Sequence, residues 1–255
     1  THIQSNKITN NQALGPSSEG GGISIRYSSS PIILSNNLVA NNVSCQGGGI
    51  LVENQEDGDS QRMRNLNSED QTFGENEIVG HSIFSSNNRL DEAVIENNTV
   101  VNNEATSYCG GILCFNTLPE IRNSIIWGNE GTGNQIHSTG IVEYSDVEGG
   151  YTGIGNIDSL PLFISSKYYL LDPLSPCIDA GNPDPLYNDV EDPNNLGYAW
   201  FPALGFLTND MGTFGGPSSL WQYWDWPMPV EEESSIFSEF ELMQNYPNPF
   251  NPGTT

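Results

Sequence analysis

Residues Ile95–Asn103 read IENNTVVNN, and a related nonapeptide, IRNSIIWGN, occupies Ile121–Asn129. Each has an apolar residue first, small polar residues third and fourth, a β-branched apolar residue sixth and Asn ninth. Working outward, the same unit recurs at Ile3–Asn11 (IQSNKITNN), Leu34–Asn42 (LSNNLVANN), Phe73–His81 (FGENEIVGH) and Val142–Gly150 (VEYSDVEGG). Successive starts lie 31, 39, 22, 26 and 21 residues apart, so the bare period is in the low twenties. Gly20-Gly21-Gly22-Ile23, Gly47-Gly48-Gly49-Ile50 and Cys109-Gly110-Gly111-Ile112 each fall between two copies and open another short apolar strand.

A period of this length, built from strands and turns without helical patterning, predicts a parallel β-helix. Each turn of chain pairs its backbone with the turns before and after it, at about 4.8 Å, so that six coils make a column on the order of 25 to 30 Å long. Alternate residues of a strand face inward, which puts the first and sixth positions of the unit in stacked aliphatic files. Asn suits the bends because it tolerates the left-handed backbone, and its amide can bond to the same residue one coil away. Leucine-rich repeats share the period but need an LxxLxL pattern that is missing here.

Composition agrees. The 27 Gly, 16 Pro and only 15% charged residues suit short strands and many turns. A formal charge of −25, from 32 acidic side chains against Lys7, Arg26, Arg62, Arg64, Arg89, Arg122 and Lys167, leaves no basic footprint for nucleic acid or an anionic membrane. No stretch approaches the roughly 20 apolar residues of a membrane span. Cys45, Cys109, Cys114 and Cys177 lack zinc-site spacing and read as small buried hydrophobes or as disulfide partners.

The long spacings locate insertions. Glu53–Thr72 (ENQEDGDSQRMRNLNSEDQT) is too polar for a buried strand and is expected to leave the column as a lateral loop, with a shorter excursion near Asn87–Glu92. The organisation expected is coils over 1–150 with a truncated N-terminus, a last coil and irregular cap over 151–217, an acidic aromatic linker over 218–239, and a further element over 240–255. The run Trp221-Gln-Tyr223-Trp224-Asp-Trp226 reads as a cover for the end of the column, with Trp221 and Trp224 as the alternative sugar-stacking platform.

Two resemblances sharpen this reading. IRNSIIWGN, VEYSDVEGGYTGIGNID (Val142–Asp158), LPLF (Leu160–Phe163), SPCIDAGNP (Ser175–Pro183) and NDMGTFGGP (Asn209–Pro217) form an ordered series that resembles the C-terminal part of bacterial right-handed β-helix repeat proteins. That resemblance implies an extracellular or cell-surface protein of all-β, right-handed parallel β-helix (solenoid) fold, in a group where some folds of the same kind, pectate lyase-like, degrade polysaccharides. FELMQNYPNPFNPGTT at Phe240–Thr255 resembles the opening of the C-terminal sorting domain of the type IX secretion system, with Asn245, Tyr246, Pro247, Asn248, Pro249, Phe250, Asn251 and Pro252 matching its core and Gly253 departing from it. It implies engagement of the type IX machinery and release or anchoring at the outer surface of a Gram-negative bacterium. The tail, lacking partner strands, is expected to be disordered.

Chemistry is harder to read. A polysaccharide lyase needs a base beside the sugar, and Arg122 is the one basic residue on a regular strand of the better-matched region, without a carboxylate cluster that the sequence places beside it. A glycosidase needs paired carboxylates, for which Asp146 and Glu148 are a weak candidate. His2, His81 and His137 share no spacing. Calcium is the one cofactor suggested, with Asp179, Asp184, Asp189, Asp192 and Asp210 as candidate oxygen ligands, though their spacing also suits carboxylates that bind turns. The leading expectation is therefore a non-catalytic surface β-helix that contacts extracellular polysaccharide or another polymer, ahead of a polysaccharide lyase or glycoside hydrolase and of a plain spacer.

Overall fold

The structure, a computed structural model, describes residues 1–26, 31–53, 82–83, 93–133 and 135–219. It is all-β: seventeen short strands, all ladder pairs parallel, with a three-residue 3-10 turn at Pro185–Tyr187 the one helical element among the described residues. Strands of successive nine-residue units pair with one another in register. One sheet orders β1 (His2–Gln4), β4 (Ile32–Ser35), β9 (Ala93–Glu96), β13 (Glu120–Arg122) and β16 (Ile141–Glu143). A second orders β2 (Lys7–Thr9), β5 (Leu38–Ala40), β10 (Thr99–Val101), β14 (Ile125–Trp127) and β17 (Asp146–Val147). The glycine-led strands β3 (Ile23–Arg26), β7 (Ile50–Glu53), β12 (Ile112–Phe115) and β15 (Ile136–His137) form a third, extended beyond β3 by β8 (Ser82–Ile83); β6 (Val43–Gln46) and β11 (Glu104–Ser107) form a short fourth.

The inward files follow the register. Ile3, Leu34, Ile95, Ile121 and Val142 are successive partners in the first sheet, as are Ile8, Val39, Val100, Ile126 and Val147 in the second. Ile23, Ile50, Ile112 and Ile136 line the third. Apart from the half-buried Ile3, these side chains are buried and join one apolar core. Each fully buried branched side chain contributes on the order of 1.5–3 kcal/mol relative to exposure.

Two classes of Asn serve two purposes. At the third and eighth positions, Asn36, Asn97, Asn123, Asn10, Asn41 and Asn102 have φ between 51° and 61° and turn the corners in the left-handed region that Asn tolerates. At the fourth and ninth positions the side chains run in ladders. Asn11 donates to Asn42 at 2.9 Å, Asn42 to Asn103 at 2.9 Å, Asn103 to Asn129 at 2.9 Å, and Asn129 to Gln135 at 2.7 Å. The glycines open the remaining corner: a Cβ on Gly110 would stand 2.2 Å from the carbonyl oxygen of Glu130, which only a residue without a side chain avoids.

Two expectations are revised. The Leu34 unit pairs directly with the Ile95 unit, so five copies stack side by side; the copy at Phe73–His81 lies outside the described residues, as does most of the Glu53–Thr72 insertion. The segment after the repeats runs beside the units, where the sequence led to the expectation of a cap. Residues 151–159 continue the stack through Ile157, which bridges Asp146. Residues 160–219 then touch all five units: Tyr168 receives Lys7 over its ring at 4.6 Å, the Tyr169 hydroxyl meets Asn41 and Asn102, Asn36 donates to the carbonyls of Thr213 and Gly215, Asn97 to Asn209, and the Cys177 thiol to Asp146. The left-handed asparagines thus hold this segment along the units with the amides that their bends leave projecting.

Candidate functional site

The second position of the unit alternates away from the core, and in the first sheet it aligns Gln4, Ser35, Glu96, Arg122 and Glu143 as register partners. Arg122 donates through Nε to Glu96 Oε2 at 3.0 Å and through Nη1 to Glu120 Oε2 at 2.9 Å. Its guanidinium lies over the ring of Tyr187, 5.0 Å from the centroid. Burial opposes the charge on Arg122, but the bond and charge of Glu96, with Tyr187 and Glu120, outweigh it and hold the group above its ordinary value. Where the 160–219 segment meets this face, a cleft of about 240 Å³ opens between Asn36, Glu96, Asn97 and Arg122 on one side and Leu186, Tyr187, Pro217 and Ser218 on the other.

The sequence does not place a carboxylate cluster beside Arg122; the structure does, with Glu96, Glu120 and, one strand on, Glu143. Three of these four residues occupy the second position of aligned units, so the file was present in the repeat. It is hidden because that position varies in chemistry, unlike the apolar and Asn positions. Tyr187 could not be read, since its position depends on how the 160–219 segment runs.

The five calcium candidates are used by the backbone. Asp184 accepts from Leu186 N at 2.9 Å, Asp192 from Asn194 N at 2.8 Å and Asp179 from Phe206 N at 2.9 Å. Asp210 accepts from the amides of Asp179 and Leu204, and Asp189 from those of Asp210 and Gly216. Asp189 and Asp210 are buried; loss of solvation, and for Asp189 the neighbouring Asp210 charge, push both upward. Among the described residues no group of three or more His, Cys, Asp and Glu is arranged to hold a metal ion. Asp184 and Asp192 brace local turns, whereas Asp179, Asp189 and Asp210 tie together stretches of chain 21 to 31 residues apart.

The remaining candidates are dispersed. Asp146 is fully buried against Cys177 and accepts from Ser159 N, and desolvation raises it to about 6. Glu148 accepts from Gly128 N and Gln135 Nε2, so Asp146 and Glu148 do not form an open catalytic pair. His2 contacts Ser35, whereas His137 packs edge-on to Tyr108 and Phe115. All four cysteines are free, three of them buried. Trp221, Trp224, His81 and the Asn245–Pro252 motif lie outside the described residues. No described helix is long and apolar enough to cross a membrane.

Compared with protein-family models, curated proteins and solved structures, the chain finds no match.

Proposed function

We propose that the chain is a right-handed parallel β-helix, exported to the cell surface or beyond, that binds extended extracellular glycans without cleaving them. The reading of the fold is supported by five in-register units and by their continuous interior files. Export rests on the resemblance of Asn245–Pro252 to a sorting motif.

The observation that carries the binding reading is the cleft, which takes Glu96 and Arg122, neighbours on adjacent strands, from the file of second positions. Parallel strands repeat a hydrogen-bonding side chain about every 4.8 Å, a ladder that suits a ligand which itself repeats. Leu186 and Tyr187 add an apolar wall, as sugar-binding clefts need where one edge of the ring is hydrophobic and the other polar.

An enzyme reading has one observation in its favour, a carboxylate, Glu96, and Arg122 together in a cleft. A lyase base must be neutral when it takes the proton, and Arg122 is held charged by its ion pairs. Binding therefore ranks first. In affinity electrophoresis against a panel of polysaccharides, at least one polymer should be retained, with no shortening of its chains. Tyr187→Ala should weaken that retention roughly two- to tenfold. Release of oligosaccharide products would replace the binding reading with the enzymatic one, and retention of no polymer would leave the spacer.

A further inference from the structure

We infer that residues 160–219 are a latch, released from the stack by a rise in pH before the stack itself opens, and taking one wall of the cleft with it. The segment is separable because of how it is held. Among the described residues, the apolar core of the units is built from side chains between Ile3 and Tyr151 and takes none from this segment. The bonds that tie it to the units join small polar groups: Asn36 to the carbonyls of Thr213 and Gly215, Asn97 to Asn209, Thr99 with Thr213, and Asn182 to Asn123. A part that shares neither strand ladders nor core with the rest opens at lower cost than the whole. Leu186, Tyr187, Pro217 and Ser218 all belong to it, so its release removes that wall whatever the cleft holds.

Protons hold the latch. At the seam Asp146, on β17, accepts from the Cys177 thiol at 3.1 Å and from Ser159 N at 3.1 Å. Inside the segment Asp210 accepts from the amides of Asp179 and Leu204, and Asp189 from those of Asp210 and Gly216. All three aspartates are buried. The charges that bear on them are carboxylates: Asp158 on Asp146, Asp210 and Asp179 on Asp189, and Asp179 on Asp210, while Asp146 and Asp210 bear on Cys177. In the described ion pairs Arg26 and Arg122 are engaged by glutamates. Loss of solvation raises all three carboxyls, Asp146 to about 6. A carboxyl raised in the docked segment supports docking fully below its exposed value, near 4, and that support is lost as pH rises through the docked one.

Two buried thiols report the two parts separately. Cys177 lies at the seam and Cys114 in the core of the stack. The full chain, carrying Cys45→Ser, is pulsed with N-ethylmaleimide at several pH values, and the label on each cysteine is read by mass spectrometry. Dividing each rate by that of the denatured chain at the same pH removes the intrinsic dependence of thiolate on pH. Between about pH 5 and about pH 8, protection of Cys177 should fall about tenfold from the titration of Asp146 alone, while protection of Cys114 stays within about twofold. Asp189→Asn, which keeps an acceptor for the amides of Asp210 and Gly216, should make the fall at Cys177 shallower. Parallel loss of protection at both thiols would show that the chain opens as one body, and protection of Cys177 that does not change with pH would show that docking is not linked to protons. Either result in the unsubstituted carboxyl background overturns the inference, whether or not the Asp189 variant folds.

Discussion

At the scale of the residue, the two asparagine classes differ in what their loss should cost. Asn103 is fully buried; it donates to Val39 O and Asn129 Oδ1, and its own Oδ1 accepts from the amide and side chain of Asn42. Asn103→Ala strands several of these partners away from water and should lower stability by about 2–4 kcal/mol, read as a shift in urea midpoint. Asn10, exposed at φ 61°, is there for its backbone, and Asn10→Gly should stay within about 0.5 kcal/mol because Gly adopts the same conformation freely. Periodicity in the sequence reveals that Asn recurs but cannot separate these roles. The same residue type occupies both neighbouring positions, and only the pairing shows which amide faces its copy and which faces out.

At the scale of the element, the 160–219 segment carries the least legible part of the structure. Its composition announces turns, and its resemblance to repeat-protein C-termini announces an ending. Its path along five units depends on contacts such as Asn36 with Thr213 and Asn97 with Asn209, each made across more than a hundred residues. Its carboxylates were legible as a cluster of Asp, but not Asp189 and Asp210 as buried acceptors for amides distant in sequence, because burial and long-range contact are properties of the fold.

That burial sets a pH dependence. Asp146 titrates near 6 in the folded chain, and Asp189 and Asp210 are also raised, whereas unfolded aspartates titrate near 4. A carboxyl with a raised folded value favours the folded state most fully below its unfolded value, and that contribution is lost as pH rises through the folded one. Melting temperature should therefore fall as pH rises from about 4 through about 6 and beyond. Asp189→Asn, which removes the charge while keeping an acceptor, should flatten the alkaline part of that slope. An unchanged slope would show that the general repulsion among 32 acidic residues, and not this buried pair, sets the response.

At the scale of the whole molecule, the fold was the most legible feature. A nine-residue pattern with buried first and sixth positions admits few arrangements, and the inward files that it predicts are those observed. The copy number was less legible, because spacing along the chain does not say which copies become neighbours: Leu34 and Ile95 are 61 residues apart and pair directly. The cleft was least legible, since it forms between a variable file and a segment without periodicity. The low count of basic residues is likewise a whole-chain property, read from composition and not from any one site.

The stacking of five units is the claim on which the others depend, and a distance across the first sheet tests it. His2 and Ile141 are exposed and sit at equivalent positions of its outermost strands, four strand spacings apart, or about 19 Å. Nitroxides on His2→Cys and Ile141→Cys, in a chain carrying Cys45→Ser, should give a narrow distance distribution centred near 20 Å by double electron–electron resonance. A broad distribution, or one centred beyond about 40 Å, would contradict the stack.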